Sequence, residues 1–301
     1  MIWSIARAFK HVAIFRKPRA EGMRDTLLAN ARIIEASGCV PLFDAATREG
    51  GGFEDYDGHS LAALGKQSDV AVVLGGDGTM LGIARELAPF RVPLIGINSG
   101  RLGFMTDIAL EQMPDVLATM LGGQFERDER LLLDAEVRRA GQTLFATRAL
   151  NDVVIARGVA GGLVEFTIRV DGVTMYNQRA DGIILSTPTG STAYALSANG
   201  PILYPSLAGL VLVPVAPQTL SHRPIVLPDS SVIEIEITDV RDAGAHFDMQ
   251  TFSRLAPGDV VRASRSADVV TMLHPVGWNY FATLRGKLHW NVMPTDPATR
   301  A

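Results

Sequence analysis

The sequence predicts two domains of different class, α/β then all-β: a Rossmann-like α/β domain over residues 1–127 and a β-sandwich-like domain over residues 128–277. Three observations carry that reading. In the first part, apolar runs of strand length alternate with segments of helical spacing, the pattern of a parallel sheet with helices on its faces. From about Leu131 onward, period-two alternation and closely spaced turn residues take over, the pattern of antiparallel strands. Near the end, residues 280–290 return to helical spacing at Phe281, Leu284 and Leu288, so residues 278–301 are expected to pack back on the first domain.

The elements follow in order. Residues 12–15 form a short apolar strand. Residues 21–37 carry helical spacing through Leu27, Ala31 and Ile34, and Gly38 stands where a helix stop belongs. Residues 39–43 are a second strand, and the Gly- and acid-rich residues 47–60 read as a mobile surface loop. A strand at 69–74, a helix at 80–87 and a strand at 93–98 complete the first series. In the second part, residues 163–170 alternate apolar and polar, and Asp171-Gly172 signals a hairpin into residues 173–176. Residues 231–238 alternate again at Val232, Ile233, Ile235 and Ile237, and residues 259–263 and 269–273 read as two further strands.

Composition bounds the function. A chain of 301 residues is long enough for one large domain or two ordinary ones. With 47% hydrophobic and 20% charged residues it can bury a sizeable core. A net charge of −4, with no block of Lys and Arg interleaved with aromatics, excludes the electrostatic footprint of a nucleic-acid binder. No apolar run reaches the roughly 18 residues of a membrane span, and residues 1–15 lack the uninterrupted apolar stretch of a signal peptide. The expectation is a cytoplasmic protein with neither nucleic acid nor membrane as partner. The single cysteine, Cys39, lies in an apolar run and reads as a buried, inert thiol. The six histidines show no metal-ligand spacing, and His222 and His274 fall in Pro-containing loops, so all six read as surface or satisfied side chains.

Three segments carry chemistry. Gly75-Gly76-Asp77-Gly78-Thr79 directly follows an apolar strand. Glycines at the carboxyl end of a buried strand, opening a helix, let backbone N–H groups approach a phosphate. Asp77 among them would repel phosphate unless it binds a cation or accepts a proton. Two rival loops fail on spacing: no G-x-x-x-x-G-K-[ST] occurs, and the glycines at 76, 78 and 82 are one residue too far apart for the dinucleotide fingerprint. The second segment runs from Asp181 through the apolar Gly182-Ile183-Ile184-Leu185 into Ser186-Thr187-Pro188-Thr189-Gly190-Ser191-Thr192, then a helical stretch over residues 193–197. Its hydroxyls and amides suit ribose or phosphate; the bland alternative is a helix start capped by Thr189 or Ser191. The third is Asn151-Asp152, which interrupts an apolar run and suits an adenine edge and ribose hydroxyls, or else a simple bulge.

Together these segments resemble the NAD kinase family, with further likeness in Arg179-Ala180-Asp181-Gly182, in Asp248-Met249-Gln250 and in the closing Tyr280-Phe281, Lys287-Leu288 and Trp290. The likeness runs from about residue 68 to 290, and only Met249 departs from the family's commoner small residue. The pentapeptide also resembles diacylglycerol-type lipid kinases and 6-phosphofructokinases; the segment at 181–197 separates the chain from both.

The resemblance implies transfer of the γ-phosphoryl of ATP to the 2′-hydroxyl of the adenosine ribose of NAD, giving NADP, with NAD bound between the domains. It implies Asp77 as the proton acceptor. Gly75, Gly76, Gly78 and Thr79 would cradle phosphate, and Asn151 and Asp152 would hold the adenosine. Thr192, Ala193, Tyr194, Ala195, Leu196 and Ser197 would line the adenine pocket, with Arg179, Asp181 and Gln250 orienting the dinucleotide. Mg²⁺ would arrive with ATP, no protein metal cage being visible, and the family implies a homodimer or homotetramer. A lipid kinase, or a nucleotide sensor without catalysis, is the alternative.

Overall fold

The structure is a computed structural model that describes residues 9–16, 24–49, 53, 55–100, 103–159, 161–219 and 221–290. The chain divides into two compact units, Met1–Asp128 with Thr271–Ala301, and Glu129–Val270.

The first unit holds β1 (His11–Arg16), α1 (Arg24–Ala36), β2 (Val40–Asp44), α2 (Ala45–Arg48), β3 (Gly58–His59), α3 (Leu61–Gln67), β4 (Val70–Gly75), α4 (Asp77–Leu87), β5 (Leu94–Asn98), β6 (Ile108–Ala109) and α5 (Met113–Leu121). Its strands pair in parallel in the order β3-β2-β1-β4-β5, with β6 against the end of β5. Strands β1, β4 and β5 are covered on both faces, which is why they read as unbroken apolar runs rather than alternating ones. Leu27, Ala31 and Ile34 of α1 join Val12, Ile14, Val70, Val72 and Leu74 in one core. Gly38 takes a left-handed φ of 74° and its N–H returns to the Glu35 carbonyl at 2.8 Å, the helix stop its position implied.

One expectation in this unit is corrected. Residues 47–60 are not all loop: α2 ends at Arg48 and β3 pairs Gly58 with Phe43 of β2, while residues 50–52 and 54 lie outside the described ones. Aromatic packing is the reason. Phe53 and Tyr56 stack against Phe43 with ring centres 5.2 and 4.7 Å away, anchoring the segment to the core.

The second unit holds two sheets. Most of β7 (Glu126–Arg139), β8 (Gln142–Ala149), β10 (Val164–Val170), β11 (Val173–Ala180), β15 (Ile233–Asp239) and most of β18 (Val260–His274) form one. The other, in the order β14-β13-β12-β9-β16-β17, is built from β9 (Asp152–Arg157), β12 (Gly182–Ser186), β13 (Gly209–Val215), β14 (Ile225–Pro228), β16 (Ala243–Phe247) and β17 (Thr251–Leu255). Phe166, Ile168, Ile235 and Ile237 from the first meet Val153, Ile155, Ile183, Leu185 and Phe247 from the second, a β-sandwich core. Between β10 and β11, Asp171 (φ 51°) and Gly172 (φ 79°) are both left-handed, as a two-residue hairpin turn requires. The opposite face of the second sheet is covered by the short α6 (Tyr194–Ser197), where Ala195 packs with Val154, Ile184 and Val213.

Residues 259–263 and 269–273 are corrected from two strands to one. Strand β18 continues through the polar stretch between them because its charges are paired: Arg265 with Asp229, and Asp268 with Arg148 at 2.9 Å. After β18 the chain forms α7 (Tyr280–Leu288), which buries Tyr280 and Leu284 one turn apart within the first unit.

Candidate active site

Strand β4 delivers the glycine-rich segment from a fully buried position. A Cβ on Gly75 would stand 2.8 Å from Oγ1 of Thr79, so strand and helix approach closely there. Helix α4 starts at Asp77, three residues before the expected position, because the Gly76 carbonyl accepts the N–H groups of Thr79 at 3.0 Å and Met80 at 3.1 Å. Asp77 thus occupies the first helical turn, where the backbone dipole favours an anion. Gly76 and Gly78 have no atom within 4 Å of where a Cβ would sit, and neither has positive φ, so protein packing does not call for glycine at either position.

The Asp77 carboxylate is held from outside its helix. Its Oδ2 accepts the Phe104 N–H at 2.7 Å, and its Oδ1 accepts the Met105 N–H at 3.0 Å and the Thr106 hydroxyl at 3.2 Å. Asn98, at the end of β5, donates to Oγ1 of Thr106 at 2.9 Å and steadies that segment. Gly103 leaves room for that carboxylate: a Cβ there would lie 1.9 Å from Oδ1 of Asp77 and displace it. Lys287 of α7 feels the Asp77 charge, although burial outweighs it and holds the ammonium below the usual lysine range.

Behind this segment lies a buried cluster that overturns the reading of His274 as a loop residue. His274 ends β18 with no exposed surface, its Nδ1 2.7 Å from Asp107 and its Nε2 3.6 Å from Asp128. Its ring stacks on Trp278 at 4.0 Å between centres. A lone His before a Pro carried no sign of this, because the two carboxylates it meets, Asp107 and Asp128, are distant in sequence.

In the second unit the other two motifs converge. Asn151 immediately precedes β9, and Asp152 opens it and pairs with Ser186 of β12. The hydroxyl segment lies against the same backbone: Thr187 donates its N–H to the Asn151 carbonyl at 2.9 Å and its hydroxyl to the Leu150 carbonyl at 2.5 Å. Gly190 permits the approach, since a Cβ would sit 2.1 Å from the Asn151 carbonyl oxygen. The helix-cap alternative fails. Ser191 donates to the Pro188 carbonyl and accepts from the Leu203 N–H, and Thr189 makes no capping bond.

Asp152 is 2% exposed, and burial first, then the nearby Asp248 charge, push its carboxyl up to about 7. Oδ1 of Asn151 and Oδ1 of Asp152 are both buried and have no hydrogen-bond donor among the described residues. Such acceptors are expensive to leave unsatisfied in a finished core.

An open cleft of about 610 Å³ runs over the second unit's six-stranded sheet and is lined by Asp181, Tyr194, Arg157, His246 and Arg254 among others. Asp181 bonds Arg157 there at 2.6 Å. Other predicted residues sit apart from that lining. Arg179 belongs to β11 in the other sheet and pairs with Glu165 at 2.8 Å. The methyl of Ala195 is in the core, Thr192 lies just before α6 and Ser197 ends it, and Gln250 is exposed in the turn between β16 and β17. No group of three or more His, Cys, Asp or Glu side chains is arranged to hold a metal among the described residues.

Residues 18–125 match the model of the ATP-NAD kinase N-terminal domain, and residues 150–274 that of the C-terminal domain. The NAD kinase of Paraburkholderia phytofirmans is 51% identical over 291 residues, 97% of either chain. That of Cupriavidus pinatubonensis is 52% identical over 288 residues, 96% of this chain and 94% of the relative. The fold is shared with yeast NADH kinase complexed with NADH, at a TM-score of 0.85 and 23% identity over 94% of this chain and 88% of that one. It is also shared with an NAD kinase from Archaeoglobus fulgidus in complex with ATP, at a TM-score of 0.72 and 24% identity over 93% of this chain and 98% of that one.

Proposed function

We propose, given that this chain belongs to the ATP-NAD kinase family, that Asp77 takes the proton of the adenosine 2′-hydroxyl as that oxygen attacks the γ-phosphorus of ATP. The activity itself is ATP-dependent phosphorylation of NAD. In the step, the bond from the 2′-oxygen to phosphorus forms, the bridging β–γ bond breaks, and NADP and ADP result. Positioning and charge neutralisation supply most of the acceleration in such transfers.

The observation that carries this reading is the setting of Asp77. An ionised carboxylate offers about four lone-pair sites. Two on Oδ1 and one on Oδ2 are engaged by residues 104–106, which leaves one on Oδ2 to receive a proton. The bare glycines at 76 and 78 leave room for phosphates beside it, with Gly75 and Thr79 shaping the turn. Asn151 and Asp152 accept from the adenosine amino group and ribose hydroxyls, which supplies the donors their buried oxygens lack. Thr192, Ala193, Tyr194, Leu196 and Ser197 line the adenine, and Ala195 anchors that stretch through its core methyl. Arg179, Asp181 and Gln250 orient the dinucleotide, the first two by exchanging their pairs with Glu165 and Arg157.

Mg²⁺ would be carried on the phosphates of ATP and would screen their charge there. ATP is the phosphoryl donor. The enzyme works as a homodimer or homotetramer in the cytoplasm. Ile225 and Val226, exposed on the outer strand β14, support self-association. No helix among the described residues is long and apolar enough to cross a membrane.

Incubation of the purified protein with Mg²⁺, either ATP or polyphosphate, and either NAD or diacylglycerol tests the reading. NADP and ADP should appear in equal amounts from ATP and NAD alone. Phosphorylated lipid, or ADP without NADP, would overturn it.

A further inference from the structure

We infer that Asp248 is a positioning residue for nucleotide recognition: its carboxylate clamps the backbone of residues 150–152 and so presents the side chains of Asn151 and Asp152. The inference rests on the reading of those two residues as adenosine contacts.

Oδ2 of Asp248 accepts the Leu150 N–H at 2.9 Å, and Oδ1 accepts the Asn151 N–H at 2.7 Å and the Asp152 N–H at 3.1 Å. In return the Asp248 N–H donates to the Asp152 carbonyl at 2.9 Å. Leu150 and Asn151 precede β9, where the sheet ladder does not yet hold the chain, so a side chain takes over the role of a neighbouring strand. The carboxylate is delivered by a tight turn between β16 and β17. Asp248 and Met249 there both have left-handed φ, 53° and 54°. Asp tolerates that conformation; Met does not favour it. A strained turn without glycine, ending in a buried carboxylate that meets three amides, marks a placement that the surrounding fold enforces.

The two acids are not equivalent. Asp248 has its charge compensated by three N–H groups, whereas Oδ1 of Asp152 is buried without a donor. The residue opposite Asp152 on β12, Ser186, is uncharged, and Asp248 is the charge that acts on it. Asp248 therefore both orients Asp152 and opposes its ionisation, which leaves Asp152 hungry for a donor-bearing ligand such as an amino group or sugar hydroxyl.

The test compares the wild-type enzyme with D248N by steady-state kinetics across pH, with NAD binding followed by calorimetry. Asn retains one acceptor oxygen but turns an NH₂ against an amide N–H. KM and Kd for NAD should rise on the order of tenfold, while kcat falls much less. In the wild type, NAD binding should weaken as pH falls through about 7. In D248N that weakening should move to lower pH, a shift that a purely structural role would not produce. A folded D248N with unchanged KM, or with the wild-type pH profile, overturns the proposal. If D248N does not fold, hydrogen exchange on the wild type decides. The amides of Leu150, Asn151 and Asp152 must be protected without ligand, and exchange at solvent rates overturns the clamp. Wild-type turnover of NAD is a separate measurement, so failure of the kinase reading cannot be mistaken for failure of the clamp.

Discussion

At Asp77, shape and charge separate. Asn at this position matches the side chain in size and is an equally good turn former, so a mere turn residue would leave turnover near normal. A general base replaced by Asn should lose about 10²–10⁴ in kcat with NAD affinity changed far less. The sequence alone implies that the fold would not notice. The structure alters that expectation, because both carboxylate oxygens accept backbone N–H groups and an NH₂ in place of either would face a donor. Asp77→Asn should therefore also lose roughly 1–3 kcal/mol of stability. Kinetics beside a melting curve separate the two effects, and turnover within a few-fold of wild type would remove Asp77 from the mechanism. Asp152 gives the opposite pairing of function and stability. Asp152→Ala should raise KM for NAD by about ten- to a hundredfold. The unfolded carboxyl titrates near 3.9 and the folded one near 7. Between those values the folded protein holds a proton that the unfolded chain has released, so stability falls as pH rises through that window. Asp152→Asn removes this penalty. Its melting temperature should exceed the wild type's at pH 8, and the difference should vanish below about pH 4. An equal difference at both pH values would refute a buried, protonated Asp152.

Among elements, the join of β4 to α4 shows how local spacing and tertiary contact combine. The strand was legible as an apolar run, and the glycines as a phosphate turn. The three-residue error in the helix start arose because Gly-Gly-Asp-Gly has poor helix propensity, while Gly76 as an extended cap starts the helix regardless. Gly103 was not legible. Its need arises from Asp77, 26 positions earlier, whose carboxylate oxygen would lie 1.9 Å from an added Cβ. Gly103→Ala should displace that carboxylate by about an ångström and lower kcat on the order of 100-fold, with KM for NAD within a few-fold. Near-normal turnover in a folded Gly103→Ala enzyme would show that the position of Asp77 is not critical.

The whole molecule responds to substrate by mass action. NAD at 100 times its Kd adds about 2.7 kcal/mol to the stability of whatever it binds, a shift of roughly 5–10 °C for a unit of 150 or more residues. Scanning calorimetry should find that shift in wild type and in Asp77→Asn, which keeps the binding groups, and find about half of it or more gone in Asp152→Ala. An Asp77→Asn protein without the shift would mean that Asp77 serves binding before chemistry.

The sequence by itself determined the class of each half, the hairpin at Asp171-Gly172 and the three segments that bear the chemistry. Each of these is written in spacing over a few neighbouring residues, where periodicity and turn geometry act directly. It also carried the family, because the segments at 75–79, 151–152 and 181–197 occur together. Only the tertiary structure decided what holds those segments in place. Phe104, Met105 and Thr106 grip Asp77, Asp248 grips residues 150–152 from 96 to 98 positions away, and His274 joins Asp107 across 167. Such bonds pair groups whose proximity depends on strand order, and no local pattern records strand order.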